Sequence, residues 1–250
     1  MPERDRLLLA NHTTFRTRDI PIDDIANAIN RQLEHFARGW GEQAWTIVRD
    51  LHRQGFRVVL RDHSTDPDSV ADHFRLGGNP IASVYARDIL ESKDGSWTRG
   101  VNSVSAAVSH EVVEVLADPI SLNYIDGLDD WMYALEVADP TQDDIYDIDG
   151  VAVSNFTYPD YWNPWGEKRR GHPLDHLGLV ARPFEVRAGG YLVRYKGRRV
   201  NYVYGHKFAV RRRLVKETKP NGRTRRRLEQ LAKFGDRKLA LPPLAGTRKA

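Results

Sequence analysis

The chain has 250 residues, 40% of them hydrophobic, with six Trp and ten Tyr, enough to bury a substantial core in one domain of about 200 residues plus an appendage. No apolar run approaches the ~18 residues of a transmembrane helix, and Met1–Arg6 does not lead into the apolar region of a signal peptide. A soluble, cytoplasmic chain with no membrane partner is therefore expected. The absence of cysteine excludes disulfides and thiolate zinc sites, so any transition-metal site must be built from His and carboxylate.

The net charge of +4 conceals an asymmetry. Residues 206–250 hold fifteen Lys/Arg against three Asp/Glu, a net +12, while residues 1–205 hold 23 against 31, a net −8. The division expected from this is an acidic globular body, 1–205, followed by a basic extension, 206–250.

Arg6–Asn11 reads as a short buried strand and residues 11–14 as the loop leaving it. Pro21, with Asp23 and Asp24 favourably placed at a helix start, opens a helix to about Arg38. Ile22, Ile25, Ile29, Leu33 and Phe36 share one face of it, and Gly39 suits its end. Residues 43–49 and 56–61 are strand candidates, residues 62–80 a polar, turn-rich connection, residues 81–87 the next strand, and residues 91–100 a loop. Strand–helix–strand implies a right-handed crossover and a partly parallel sheet.

Residues 101–119 carry the densest signal. Nothing interrupts a helix from Ser103 to Ala117, and Pro119 supplies a stop. At 3.6 residues per turn Val101, Val104, Val108, Val112 and Val115 form one stripe, while His110, Glu111, Glu114 and Asp118 share an opposed arc of roughly 100°. Valine is a middling helix former, so this run is explained by burial rather than propensity. His110 and Glu114, one turn apart, can converge on one ion, and Glu111 is angled toward a water on that ion. This is the layout of H-E-x-x-H with the second His replaced by Glu. In the parent motif the His pair binds zinc, whose water has its pKa lowered to roughly 7, and the Glu takes the proton. A buried helix with an incidental His-Glu pair is the plainer alternative.

The following segment is acidic, including Asp126, Asp129, Asp130, Glu136, Asp139, Asp143, Asp144, Asp147 and Asp149. A third metal ligand from beyond the helix is expected there, Glu136 first and Asp139 second; solvated or turn-capping acids are the alternative. A calcium loop around Asp147–Gly150 fails, because the first and twelfth positions of the pattern fall on Ile145 and Phe156. Residues 150–156 alternate like a strand. The aromatic run from Tyr158 through Tyr161, Trp162 and Trp165 either lines a cleft, with Tyr158 or Tyr161 donating to a developing oxyanion, or forms a lid over the core. His172 and His176 are rival ligands, although Pro173 between them denies a helical spacing. Residues 184–203 read as β-hairpins around Gly189-Gly190. In the extension, Arg211, Arg212, Arg213, Arg225, Arg226 and Arg227 are placed to contact nucleic-acid phosphates or an acidic protein surface. Phe234 is its one aromatic after Phe208, so base stacking is not supported.

Ser109–Pro119 (S-H-E-V-V-E-V-L-A-D-P), Ala134–Pro140 (A-L-E-V-A-D-P), Ile148–Phe156 (I-D-G-V-A-V-S-N-F) and Gly189-Gly-Tyr191 together resemble a family of largely uncharacterised bacterial and phage-borne proteins with zincin-like, HExxE metallopeptidase-like features. The similarity covers roughly residues 5–195 and leaves the basic extension outside. It implies an α+β, zincin-like fold: a mixed sheet with an active-site helix, then a β-rich C-terminal part. It also implies functional roles for His110, Glu111, Glu114, Glu136 and Asp139.

The leading expectation is a zinc-dependent peptidase or hydrolase. His110, Glu114 and Glu136 or Asp139 hold the metal, and Glu111 is general base. A peptide or protein substrate lies along residues 81–87, where Ser83 and Tyr85 would meet it, on a strand expected at the sheet edge. Two carboxylates on the ion make it a poorer Lewis acid than a two-His site. The rival expectations are a non-catalytic phage or bacterial structural protein braced by a degenerate metal site, and a nucleic-acid-associated factor acting through the basic extension.

Overall fold

The computed structural model describes residues 6–41, 46–48, 56–65, 69–76, 79–118, 123–127, 130–163, 172–196 and 199–205. Pro119, Trp165 and the whole basic extension, with Arg211 to Arg213 and Arg225 to Arg227, lie outside these residues. The protein is a mixed α+β structure.

Its principal sheet has the order β2-β1-β3-β5-β4, from strands β1 (Arg6–Asn11), β2 (Thr46–Val48), β3 (Phe56–Arg61), β4 (Ala71–Leu76) and β5 (Asn79–Tyr85). Strands β2, β1, β3 and β5 run parallel to one another and β4 runs antiparallel to β5, which meets the expectation of a partly parallel sheet. Helix α1 (Ile22–Trp40) connects β1 to β2. It runs past Gly39 and ends on Gly41, whose φ of 68° supplies the left-handed C-cap. Gly39 serves packing instead: a Cβ there would stand 2.0 Å from the ring of Tyr158.

Two departures from the expected order matter for the site. Residues 62–80 contain strand β4, and Ala86 and Arg87 begin a short helix, α2 (Ala86–Glu91), instead of ending a strand. Consequently β5 is an interior strand, paired to β3 on one side and β4 on the other, and the edge on this side of the sheet belongs to β4.

Helix α3 (Val104–Ala117) packs against β4, β5 and α1. Leu9, Val58, Leu60, Ala82 and Val84 of the sheet join Ile25, Ile29, Leu33 and Phe36 of α1 and Val104, Val108, Val112 and Val115 of α3 in one core. Each valine buried this completely contributes about 1.5–3 kcal/mol. Val113 and Leu116 are also buried, so apolar contact nearly encircles α3, whereas Val101 precedes the helix and is 43% exposed.

The remainder is β-rich. A second sheet, antiparallel throughout, has the order β11-β10-β7-β6, with β6 (Tyr124–Asp126), β7 (Met132–Ala134), β10 (Tyr191–Lys196) and β11 (Arg199–Tyr204). A ribbon of β8 (Ile145–Ile148) and β9 (Val151–Ser154) turns on Asp149 and Gly150, with φ of 54° and 82°, the two positive values that an Asp-Gly hairpin turn requires. No helix among the described residues is long and apolar enough to cross a membrane.

Candidate metal centre

The helix that carries the site is fixed at both ends and along one side. Ser103 Oγ accepts from the Ala106 N–H and caps the start. Ser105 Oγ donates to Ala152 O at 2.7 Å, and Ser109 Oγ accepts from Ser154 N at 2.7 Å, which pins α3 to β9. Gln32 Nε2 donates to Ser154 O at 2.8 Å and ties α1 to the same strand. With its register along β9 set this way, α3 turns His110 and Glu114 toward the segment that follows β7 and Glu111 toward β4. Asp118, the third acid on that arc, is occupied otherwise: its Oδ2 accepts from Asn123 N at 2.9 Å beyond the helix end.

The segment after β7 is held from two directions. Thr157 donates to Val137 O through both its N–H and its hydroxyl, at 2.7 and 2.8 Å. Arg187 N donates to Pro140 O at 2.9 Å, across a 3₁₀ turn over Asp139–Thr141. Gly190 lies so close to this turn that a Cβ would stand 2.3 Å from Pro140 O and 2.7 Å from Asp139 O. The turn presents Glu136 and Asp139, both buried.

Asp139 reaches His110: Oδ1 is 3.2 Å from His110 Nε2, and Glu114 Oε1 is also 3.2 Å from that nitrogen. Ligands at about 2.0–2.1 Å on a tetrahedral zinc stand about 3.3 Å from one another, so these separations are those of neighbours on one ion. The three donors lie within 4.8 Å of each other. Burial opposes charge on the His110 ring, but the Glu114 carboxylate and hydrogen bonds to Asp139 and Glu114 outweigh it and raise the ring's pKa well above the usual imidazole value.

A second imidazole completes the cluster. His73 pairs with Ala82 across the β4–β5 ladder and so points to the same face as Ala82, toward α3. Its Nδ1 is 2.8 Å from Glu111 Oε2 and 3.6 Å from Glu114 Oε2, and its Nε2 is 3.7 Å from Glu136 Oε2. His73, Glu111 and Glu114 form a further group of donors within 4.8 Å. The structure thus brings all five of the residues expected from the motif into one cluster, with Asp139 beside His110 and Glu136 beside His73.

His73 escaped the sequence reading because residues 62–80 looked like a loop. The signal was there: Gly77-Gly78 separates two runs that pair from Leu76↔Asn79 outward, and two glycines between strands are a hairpin mark.

The expected substrate contacts fall elsewhere. Ser83 pairs with Val59 and Asp72, so it lies on the sheet face away from α3, where Arg61 Nε donates to its hydroxyl at 3.1 Å. Tyr85, two residues on, shares that face, and its hydroxyl is 3.4 Å from Asp72 Oδ2. Because β5 is an interior strand, its backbone cannot take up a substrate strand. Tyr161 and Trp162 are fully buried, the lid-like alternative for this aromatic run, and the Tyr161 hydroxyl donates to Glu185 O at 3.0 Å. The Tyr158 hydroxyl is 3.1 Å from His176 Nδ1. His176 itself stacks between His35, at 4.7 Å, and Phe156, at 5.2 Å. Burial, and then the neighbouring His35, lower the pKa of His176 to about 4. His172 is exposed.

No protein-family model matches this chain, and comparison with curated proteins and with solved structures finds none similar to it.

Proposed function

We propose that the protein is a metal-dependent hydrolase acting on peptide backbone, with the ion held by His110, Glu114 and Asp139. The observation that carries this is the 3.2 Å spacing of two carboxylates from one imidazole nitrogen, contributed by segments 25 residues apart in sequence and placed beside Glu111. The donor set of one imidazole and two carboxylates, without thiolate, suits zinc. Zinc bound there supplies Lewis acidity, polarising a substrate carbonyl and acidifying water toward a pKa of roughly 7. Glu111 takes the proton of the attacking water and returns it to the leaving amine. His73, at 2.8 Å, holds the Glu111 carboxylate in place.

The substrate strand is assigned to β4. Among the described residues β4 pairs on one side only, and its outer edge offers backbone donors and acceptors to an extended chain. His73, on that strand, places the edge next to the carboxylates. A mixed sheet with the H-E-x-x-E helix against one face and an antiparallel edge strand supports the zincin-like reading.

One observation favours a second reading, a metal-braced protein without catalysis. The cluster is deeply buried, with His110 the most open member at 13% side-chain exposure, and structural metal sites are closed whereas catalytic sites keep an open position. The two readings separate on Glu111→Gln, assayed by mass spectrometry against a peptide library together with metal content. Loss of cleavage with zinc retained supports the hydrolase. Cleavage equal to wild type ends the Glu111 mechanism, and a wild type that binds zinc but cleaves nothing leaves the bracing role.

A further inference from the structure

The two oxygens of Glu114 face different partners. Oε1 stands 3.2 Å from His110 Nε2, and Oε2 stands 3.6 Å from His73 Nδ1. Each imidazole has its own additional carboxylate, Asp139 for His110 and Glu111 for His73. These are two separate groups of three donors that share Glu114 alone. A carboxylate directed this way, one oxygen to each group, is the bridging ligand of a two-metal centre, in which the ions stand about 3.5–4 Å apart.

We propose that the cluster is a dinuclear site: a second divalent transition-metal ion binds at His73 Nδ1, Glu111 Oε2 and Glu114 Oε2, and Glu114 bridges it to the ion at His110 and Asp139. The inference rests on the hydrolase site above for its first ion and adds the second.

Three features of the structure support it. The first is charge. Four buried carboxylates, Glu111, Glu114, Glu136 and Asp139, gather about two imidazoles, a donor set rich in anionic oxygen that suits divalent cations. The second is spacing: 2.8 and 3.6 Å bracket the roughly 3.0 Å between adjacent ligands on a six-coordinate ion with bonds near 2.1 Å. The third is Glu136. Metal-bound histidines hand their other ring N–H to a carboxylate, and Glu136 Oε2, at ion-pair distance (3.7 Å) from His73 Nε2, stands on the far side of the ring from the proposed ion, where a small approach would make that bond. Ligation through Oε2 leaves Glu111 its other oxygen for the water proton. The nitrogen-and-oxygen donor set suits zinc, manganese or cobalt.

The test is a count of metal in the full-length, untagged protein equilibrated with Zn²⁺ and, separately, with Mn²⁺. Two ions per chain, falling to one in His73→Gln, support the second site. One ion per chain in both proteins overturns it and leaves the His110 site standing, as does a count of two that His73→Gln does not change. No ion in wild type overturns both. A Co²⁺ titration of wild type gives the same answer independently of whether His73→Gln folds. An absorption end point at two equivalents, with the paramagnetic resonance signal of the first Co²⁺ quenched by the second through the carboxylate bridge, is expected. An end point at one equivalent with an unquenched signal overturns the proposal.

Discussion

Replacing Gly190 with alanine tests whether the Asp139 turn is what places the third ligand. Gly190 has no positive φ, so alanine strains nothing locally; the obstacle is space. Its Cβ would meet Pro140 O at 2.3 Å, Pro140 C at 2.6 Å and Asp139 O at 2.7 Å, all of them backbone. An ordinary contact with oxygen needs about 3.4 Å, so the turn must retreat by roughly 1 Å, and overpacking of this kind costs about 1–3 kcal/mol. For a domain of this size that lowers Tm by about 2–4 °C per kcal/mol. The same displacement draws Asp139 away from His110, now 3.2 Å from it, and disturbing the support of a ligand costs about 10–100-fold in metal affinity. Gly150→Ala is the matched control: a left-handed glycine with nothing within 4 Å, where the variant loses about 1 kcal/mol to backbone strain but touches no ligand. Zinc affinity by competition with a chromogenic chelator, read beside Tm, separates the two variants. If Gly190→Ala binds zinc as tightly as Gly150→Ala does, Asp139 is not a ligand held by this turn.

Further outcomes follow from other contacts. Ser109→Ala removes the acceptor of the buried Ser154 N–H and should lower stability by about 1–3 kcal/mol in chemical denaturation; an unchanged midpoint would show that another group takes over. In the metal-free protein the raised pKa of His110 is a stabilising contribution, present in full below the unfolded pKa near 6.5 and lost as pH rises through the higher folded value. Metal must displace that proton, so calorimetry in buffers of different ionisation enthalpy should find proton release on zinc binding near pH 7, and its absence would mean that His110 is not a ligand. For His176 the sign reverses. Its folded pKa, lowered to about 4, means that the unfolded chain binds the extra proton first, so stability falls as pH drops from about 6.5 toward 4. His176→Phe keeps the stack on Phe156 and should flatten that acid limb; a limb as steep as in wild type would assign it elsewhere.

Where the chemistry depends on one helix, periodicity sufficed. His110, Glu111 and Glu114 share a face because residues one and four apart must do so at 3.6 per turn, and the valines around them marked that helix as buried before any partner was known. The proposed third ligand lay half within reach: an acid beyond the helix was expected, but whether Glu136 or Asp139 stands beside His110 depends on a turn braced by Gly190 and Thr157, residues 18 to 51 positions further along. For His73 the glycine pair at 77–78 marked a hairpin, but nothing local said that its side chain would meet the helix. His73 joins the cluster because β4 pairs antiparallel with β5 in a register that sets it opposite Ala82, and a shift of one residue would have turned it to the other face. The same pairing made β5 interior and moved the sheet edge to β4. Helical spacing is a property of a few consecutive residues and can be read from them, whereas strand order, register and the approach of one turn to another are settled by packing between distant segments. The motif was therefore local and legible, while the second histidine and the position of the sheet edge were decided by the tertiary structure.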